Sequence, residues 1–456
     1  MVMKEAPTQK PINVNRISKK FIERFELADR LLYVKETISL YIYNEKLGFY
    51  ELSKKEILHY DIFNFIDDNF KISRANDESL ARTITYQMGM HAKTRLEFLD
   101  SPYITFNDGV LNTKTFELEE KSKATFSVFN IDCKYEETKQ QSQDWNDFLR
   151  SSIVKEDKKT FDEKLCMTLQ EMAGWLLLDN IEPHKAFFLI GDGRNGKGVF
   201  TKVMTDILGQ PNTTHMSLEV LSKNPFATAG LVGKKVNICS EEESKYIGSD
   251  LFKSLVAGDR ITAQQKYQPQ FDFTPRTKFL FTTNQIPRFS SADKSIVERL
   301  VFIPFNRFFT SEERIPNLEA KLLKNKPAIV GWALAGAKRL LSNNLIFTIS
   351  SQSKKTMGQF EETASSVIHF LRDIYSIPPP PTREQPLLNF IATTDLFKTY
   401  KDWCGEEGRK PVSRRKFTIE LSAQIGEPVR RTIYDGSSSK KRTGWFLKCE
   451  KDIFLC

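Results

Sequence analysis

The sequence predicts an α/β protein: a central α/β core, preceded by an α+β accessory domain and followed by a small basic domain. Three observations carry this. Residues 191–198 read GDGRNGKG, directly after the apolar run 186–190 and directly before the helix-like stretch 199–204. Buried strand, glycine loop, lysine and helix in that order form a phosphate cradle. Two further apolar runs, 235–240 and 276–283, end in polar residues. Four consecutive prolines at 378–381 then separate the core from a basic tail, and such a run favours an extended spacer.

Composition bounds the class. The chain has 456 residues, 40% of them hydrophobic, enough for several domains with ordinary cores. No apolar run reaches the length of a membrane span. The N-terminus carries Lys4, Lys10, Arg16, Lys19 and Lys20 without an apolar segment, which is not a secretory signal, so a cytoplasmic location is expected. Cys133, Cys166, Cys239, Cys404, Cys449 and Cys456 form no CxxC pair, and the five histidines show no metal-ligand spacing. Reduced, structural thiols are expected rather than a zinc site or a disulfide scaffold. Net charge is +9, and residues 409–456 hold 12 Lys and Arg against 5 Asp and Glu.

Taken in order, residues 1–158 are expected to form the accessory domain. Helical periodicity runs over 17–34, β-like runs over 40–43 and 49–52, and a hairpin over 103–111 turning at Asn107-Asp108-Gly109. Asp67, Asp68, Asp77 and Glu78 read as solvated turn residues, and no paired carboxylates of the polymerase type are evident, so no priming activity is expected. Amphipathic helices at 144–153 and 163–178 lead into a core assigned to 159–375. Helices at 315–345 and 354–375 close it. A linker at 376–387 and a terminal domain at 388–456 complete the chain.

The chemistry is read from the loop outward. Gly191, Asp192, Gly193, Arg194, Asn195, Gly196, Lys197, Gly198 and Val199 are the nucleotide-binding candidates: backbone N–H groups cradle polyphosphate and Lys197 reaches the terminal phosphates. The bland alternative is a Gly/Asn-rich turn. Gly198 occupies the position where a Ser or Thr usually ligates Mg²⁺. Thr201 could substitute, although a hydroxyl bonded back to its own helix is the favoured reading. Glu241 and Glu242, at the end of the 235–240 run, are the candidates for holding Mg²⁺ and orienting a water, with a solvated acidic loop as the alternative. Asn284 ends the next run and is a candidate γ-phosphate sensor, or else a turn former ahead of Pro287.

Five ordered segments then resemble a known family. GDGRNGKG (191–198), VNICSEE (236–242), LFKSLVAGDRITAQQKY (251–267), KFLFTTNQIP (278–287) and DKSIVERLVFIPF (293–305) are similar to superfamily III helicases of the AAA+ type, and closest to the phage, plasmid and poxvirus primase-helicases. Segments 103–118 and 169–178 extend the likeness weakly upstream. The resemblance implies ATP and Mg²⁺ as cofactors, Lys197, Glu241, Glu242 and Asn284 as site residues, and a homo-oligomeric ring, expected to be a hexamer. It also implies that Arg299 reaches the γ-phosphate of a neighbouring subunit; the alternative for Arg299 is an ion pair with Asp293 or Glu298. Residues 258–273 resemble the family's channel hairpin, with Lys266 and Tyr267 near the tip to grip single-stranded DNA. Gln264 stands where many members carry arginine.

The tail adds a second expected DNA contact. A helix over 394–404 places Leu396, Phe397, Tyr400 and Trp403 on one face, and Ser413 caps a helix whose first turn, Arg414-Arg415-Lys416, opposes its own dipole. A hairpin with Lys440, Lys441 and Arg442 at its tip comes next. This order resembles a winged helix, with the first cluster in a groove of double-stranded DNA and the second on backbone phosphates. The whole implies an ATP-dependent helicase acting in replication initiation of a phage, plasmid or genomic island, alongside a separate primase if one is needed. A nucleotide-switched DNA-binding regulator is the alternative that Gly198 keeps open. A small-molecule kinase fits the loop but not the hairpin or the tail.

Overall fold

The structure is a computed structural model that describes residues 13–35, 39–53, 55–70, 78–96, 101–179, 182–224, 226–240, 246–264, 266, 270–289, 294–376, 389–408, 411–434 and 439–449. The first unit contains α1 (Val14–Arg24), β1 (Leu31–Val34), β2 (Ser39–Asn44), β3 (Phe49–Leu52), α2 (Lys55–Asn69), α3 (Glu78–His91) and β4 (Thr94–Leu96). Its sheet runs β3-β2-β1-β4, with only the β1–β4 pair parallel. The helical reading of 17–34 holds only for its first half. Glu26 turns left-handed at φ 52° just past the helix end, and Leu31-Leu32-Tyr33-Val34 is buried on both faces of the sheet. Leu31 and Tyr33 pack under the three helices with Phe21, Ile62 and Ile84. Leu32 and Val34 pack opposite with Tyr41, Tyr43 and Tyr50.

β5 (Tyr103–Phe106), β6 (Gly109–Asn112) and β7 (Glu117–Glu119) form an antiparallel meander whose first turn spans Asn107 and Asp108. Ile104, Phe106 and Leu111 join the same apolar cluster as α4 (Gln143–Ser152) and α5 (Glu163–Leu177), so this part of the assigned accessory region shares its core with residues beyond 158.

The central sheet comprises β8 (Ala186–Ile190), β9 (Thr213–Thr214), β10 (Val236–Cys239), β14 (Lys278–Thr283) and β16 (Leu300–Pro304), all parallel in the order β16-β8-β14-β10-β9. Between these strands lie α6 (Lys197–Leu208), α7 (Leu218–Lys223), β11 (Tyr246–Ile247), α8 (Ser249–Ala257), the antiparallel pair β12 (Ile261–Gln264) and β13 (Gln270–Phe273), β15 (Arg288–Phe289), and α9 (Lys294–Val297). Phe187, Leu189, Leu280 and Ile303 face one apolar cluster, and Phe188, Phe281 and Phe302 the other. Both faces are covered, which is why these strands read as unbroken apolar runs.

The helices expected over 315–345 are α10 (Leu318–Leu323) and α11 (Lys326–Ser342). α11 lies so close to α5 that a Cβ on Gly174 or Gly336 would overlap the partner backbone. At the root of the central strand, the buried Lys278 ammonium donates to the Trp175 carbonyl (2.6 Å) and to that of Leu178, while the Thr277 hydroxyl bonds the carbonyls of Leu231 (3.2 Å) and Lys234 (2.9 Å).

The helix expected over 354–375 is broken in two. α12 (Ser351–Ala364) buries Phe360 against Phe289 and Phe302 of the core. α13 (Ser366–Ile374) restarts where the Ser365 hydroxyl accepts from Ile368 N at 3.1 Å, a side-chain cap that competes with helix continuation. α13 turns Phe370, Leu371 and Ile374 toward the last unit. Packing therefore changes partner at Ser365, ahead of the expected 376–387 linker, which lies almost wholly outside the described residues.

That last unit adds β17 (Tyr375–Ser376), β18 (Phe390–Ala392), α14 (Thr393–Glu406), α15 (Arg414–Ile425), β19 (Val429–Tyr434), β20 (Ser439–Phe446) and β21 (Lys448–Cys449). Its sheet runs β18-β20-β19 over Leu396, Tyr400, Phe417 and Trp445. No helix among the described residues is long and apolar enough to cross a membrane.

Candidate nucleotide and nucleic-acid sites

The phosphate loop leaves the C-terminal end of β8 and re-enters the chain as the first turn of α6. Gly196 has φ 96°, and a Cβ there would lie 2.8 Å from Ser152 Oγ and 3.1 Å from Phe148 Cε2. Only glycine fits both the dihedral and the space. The close neighbour is α4, a helix that carries no recognisable motif. Ser152 Oγ is fully buried and has no hydrogen-bond partner among the described residues.

Asn195 staples the loop to the sheet. Its Nδ2 donates to the Phe305 carbonyl at 3.2 Å and its Oδ1 accepts from Lys197 N at 3.4 Å. Lys197 is 6% exposed. Its ammonium donates to the Gly191 carbonyl and lies 3.5 Å from Asn284 Oδ1. The sheet order brings these two residues together: β14 lies between β8 and β10, so its terminal amide meets the loop lysine. β10 is accordingly one strand removed from the loop strand, not beside it.

The loop opens into a cleft of about 1080 Å³, of the size class that holds small molecules and cofactors. It is lined by Ser240, Thr282 and Asn284, by Asp144, Asp147, Phe148 and Ser151 of α4, and by the segment from Arg307 to Lys321. Phe309 N ties that segment to the loop through the Arg194 carbonyl (2.8 Å). Ion pairs join it to α4 (Lys321–Asp144, 2.8 Å) and to α6 (Lys202–Glu319, 3.5 Å), and Arg307–Glu313 lies within the segment. Backbone N–H groups, hydroxyls, an amide and an ammonium converging at a helix N-terminus are a donor set suited to polyphosphate.

The donor set for Mg²⁺ is thinner. Thr201 is buried and its hydroxyl donates to the Gly198 carbonyl of its own helix at 3.2 Å, as expected, so it does not reach the cleft. A Cβ at Gly198 would meet nothing within 4 Å. Among the described residues no group of three or more His, Cys, Asp or Glu is placed to hold a metal. Glu241 and Glu242 lie outside the described residues.

Arg299 is at the far edge of the sheet. Leu300 pairs with Ala186, at the start of β8, whereas the loop follows the end of that strand, roughly 15 Å away at strand spacing. Its guanidinium donates to the Ser295 carbonyl (2.7 Å) and hydroxyl (3.1 Å), while the Glu298 carboxylate is 3.7 Å from Lys294. Asp293 is outside the described residues.

The hairpin expected over 258–273 forms, with Ile261↔Phe273 at its root and Gln264↔Gln270 toward its tip. Ala263 and Phe273 are buried in the core, and Lys266 is exposed beyond the last pair. Tyr267 lies outside the described residues.

In the last unit, Ser413 caps α15 through Lys416 N (3.4 Å). Arg414, Arg415 and Lys416 are exposed on its first turn, Lys416 lying 3.6 Å from Glu420. Lys440, Lys441 and Arg442 are exposed on β20, with Arg442 bonded to Asp395 at 3.1 Å. Sequence reasoning missed Arg430 and Arg431. Arg431 stands directly opposite Arg442, so the hairpin concentrates positive charge, which Asp395 beside Arg442 offsets in part. The RR pair in the first arm was the available signal. Cys133, Cys166, Cys239 and Cys404 are free thiols, and burial pushes those of Cys133 and Cys166 up to about 12, as structural cysteines should be.

Residues 189–299 match a family of unknown function (DUF5906). The chain is 25% identical over 240 residues to "Putative helicase 121R" of Invertebrate iridescent virus 3, covering 49% of this chain and 24% of that protein. It is 24% identical over 336 residues to "Putative helicase V13" of Sputnik virophage, covering 67% and 42%. Over 126 residues it is 30% identical to "Putative helicase L207/L206" of Acanthamoeba polyphaga mimivirus, covering 26% and 13%. The chain thus spans less than half the length of these relatives. In fold it is similar to the NrS-1 C terminal region in its apo form, with a TM-score of 0.51 and 12% identity over 94% of this chain and 99% of that one. A mixed α/β fold with a five-stranded parallel sheet, distantly related to viral proteins named as helicases, is the conclusion these findings support.

Proposed function

We propose that this chain is an ATP-dependent DNA helicase of the AAA+ superfamily III type, translocating on single-stranded DNA through a ring channel during replication initiation of a mobile element. The observation that carries the reading is the junction of Lys197 with Asn284, produced by the insertion of β14 between the loop strand and the acidic strand. A lysine for the terminal phosphates and an amide that reports their presence occupy one point. The distant relationship to viral helicases points the same way.

In this reading Glu241 and Glu242 would hold Mg²⁺, which would supply charge neutralisation and an activated water. Arg299, too far from its own loop, serves the γ-phosphate of the next subunit in a homo-hexamer. Lys266 and Tyr267 grip the strand inside the channel. The α13–β18–α14–α15–β19–β20 order is that of a winged helix, with Arg414, Arg415 and Lys416 entering a duplex groove and Lys440, Lys441 and Arg442 on the wing.

The test is ATP-dependent unwinding of a forked duplex beside a Lys197→Ala control. Unwinding by the native chain that disappears in the control supports the motor. Gly198 in place of a hydroxyl ligand for Mg²⁺ favours the second reading, a nucleotide-switched regulator; DNA binding without turnover or unwinding would establish it instead.

A further inference from the structure

The phosphate loop leans on the Phe305 carbonyl. Asn195 Nδ2 donates to it at 3.2 Å, and a Cβ on Gly191 would come within 2.4 Å of the same oxygen. Phe305 N in turn donates to the Ile190 carbonyl at 2.7 Å. Residue 305 is therefore bonded to the chain on both sides of Gly191, and its place bears on where the loop's N–H groups point.

The support behind it comes through the next residue. The Asn306 amide donates to the Val154 carbonyl at 3.2 Å and to Gln352 Oε1. Gln352, on the first turn of α12, donates from its own amide to the same Val154 carbonyl at 3.3 Å and to Asp162 Oδ2. Both ends of this brace are fixed. Asp162 Oδ1 caps α5 by accepting from Leu165 N at 2.9 Å, and Ser350 caps α12 by accepting from Ser353 N at 3.0 Å. Gln352 is 7% and Asp162 6% exposed, a burial that polar groups tolerate only when they are bonded. The Gln352 nitrogen faces two groups that only accept and its oxygen faces one that donates. Its amide thus has a single orientation, and so has Asn306.

Resting on the nucleotide reading above, we infer that Gln352 is a positioning residue for phosphate binding. It touches no phosphate. It acts by holding Asn306 against Val154, which sets the Phe305 carbonyl from which Asn195 and the loop hang. Without it the loop samples arrangements in which its N–H groups no longer converge, and only the molecules in the native arrangement bind.

The experiment is calorimetric binding of ATP and of inorganic tripolyphosphate to the full chain and to Gln352→Met, Asn195→Ala and the double variant. Steady-state ATP turnover and thermal melts accompany it. Methionine keeps the length of the side chain and removes its hydrogen bonds. Affinity falls with the fraction of molecules left competent, so a fraction of about one in ten should weaken ATP and tripolyphosphate alike by about tenfold. KM should rise by about the same factor while kcat at saturating ATP stays within about twofold, because bound phosphate restores the loop. Added to Asn195→Ala, the same substitution should weaken binding by less than about twofold more, since the link is already cut. A glutamine that serves the fold alone would lower the melting temperature and leave ATP affinity native well below it; that result overturns the assignment. Equal losses in both backgrounds, a loss of ATP without tripolyphosphate, or a fall in kcat at unchanged KM overturn it too. Should Gln352→Met fail to fold, Asn306→Ala cuts the same link from its other end and is read by the same criteria. A native chain that binds neither compound overturns the nucleotide reading itself.

Discussion

The cations at the phosphate loop and those of the C-terminal unit are built in opposite ways. Lys197 is 6% exposed and held by a carbonyl and an amide fixed to the sheet, whereas Arg414, Arg415, Lys441 and their neighbours stand in solvent on a helix turn and a hairpin. A buried, fixed ammonium recognises one anion at one place, because its desolvation is repaid only by a ligand of matching geometry. Exposed cations on rigid elements act as a polyelectrolyte surface, strong in sum and weakened by salt. In the proposed reading one chain thus carries a site for a small ligand and a surface for a long one.

The largest break in this comparison should come from Lys197→Ala. ATP turnover should fall about a hundredfold or more, while duplex DNA binding by anisotropy stays within twofold; loss of both would mean that the two regions are not separate. The double variant Arg414→Ala/Arg415→Ala should do the reverse. Duplex affinity should drop about tenfold near physiological salt, the log–log salt slope should shrink by about one for each phosphate no longer neutralised, and DNA-free turnover should stay at the native rate. A drop in affinity with an unchanged slope would assign these arginines a structural role. Gly196→Ala forces a Cβ into a left-handed residue against Ser152 and should cost about 1–3 kcal/mol, read as a lower melting temperature with weaker ATP binding. The smallest effect belongs to Gly198→Ser, where the added atoms meet open space. The melting temperature should move by no more than about a degree or two, and the Mg²⁺ concentration needed for half-maximal turnover should fall; a higher requirement would remove the metal from that side of the loop.

What is legible in the sequence is what consecutive residues encode. The loop, the strands 186–190 and 278–283 and the capped helix after Ser413 are readable because burial on both faces, glycine spacing and a capping serine each leave a local mark. Leu31–Val34 passes for helix because four apolar residues satisfy a helical period as well as a strand. The break at Ser365 is hidden because a serine interrupts a helix only when its hydroxyl finds a nearby amide. α4 is recognisable as a helix but not as a wall of the cleft. Its approach to Gly196 is a contact between distant parts of the chain, and no residue pattern in 143–152 announces it. The insertion of β14 between β8 and β10 is equally invisible, since strand order is set by the crossovers rather than by any strand's own composition.

The anchoring of Lys278 and Thr277 has a mechanical consequence. These two residues fasten the root of β14 to α5 and to the loop before β10, and they stand between the Asn284 end of the strand and the hairpin that precedes it. Sliding β14 along its own axis would break the hydrogen bonds that Thr277 and Lys278 make to the carbonyls of Leu231, Lys234, Trp175 and Leu178. Only residues 274–276 separate the buried Phe273 from this clamp. On this side the hairpin is joined to the clamp through those three residues, and Pro275 at their centre fixes one of the dihedrals about which they can turn, while its first arm is joined to α8 through Gly258, Asp259 and Arg260.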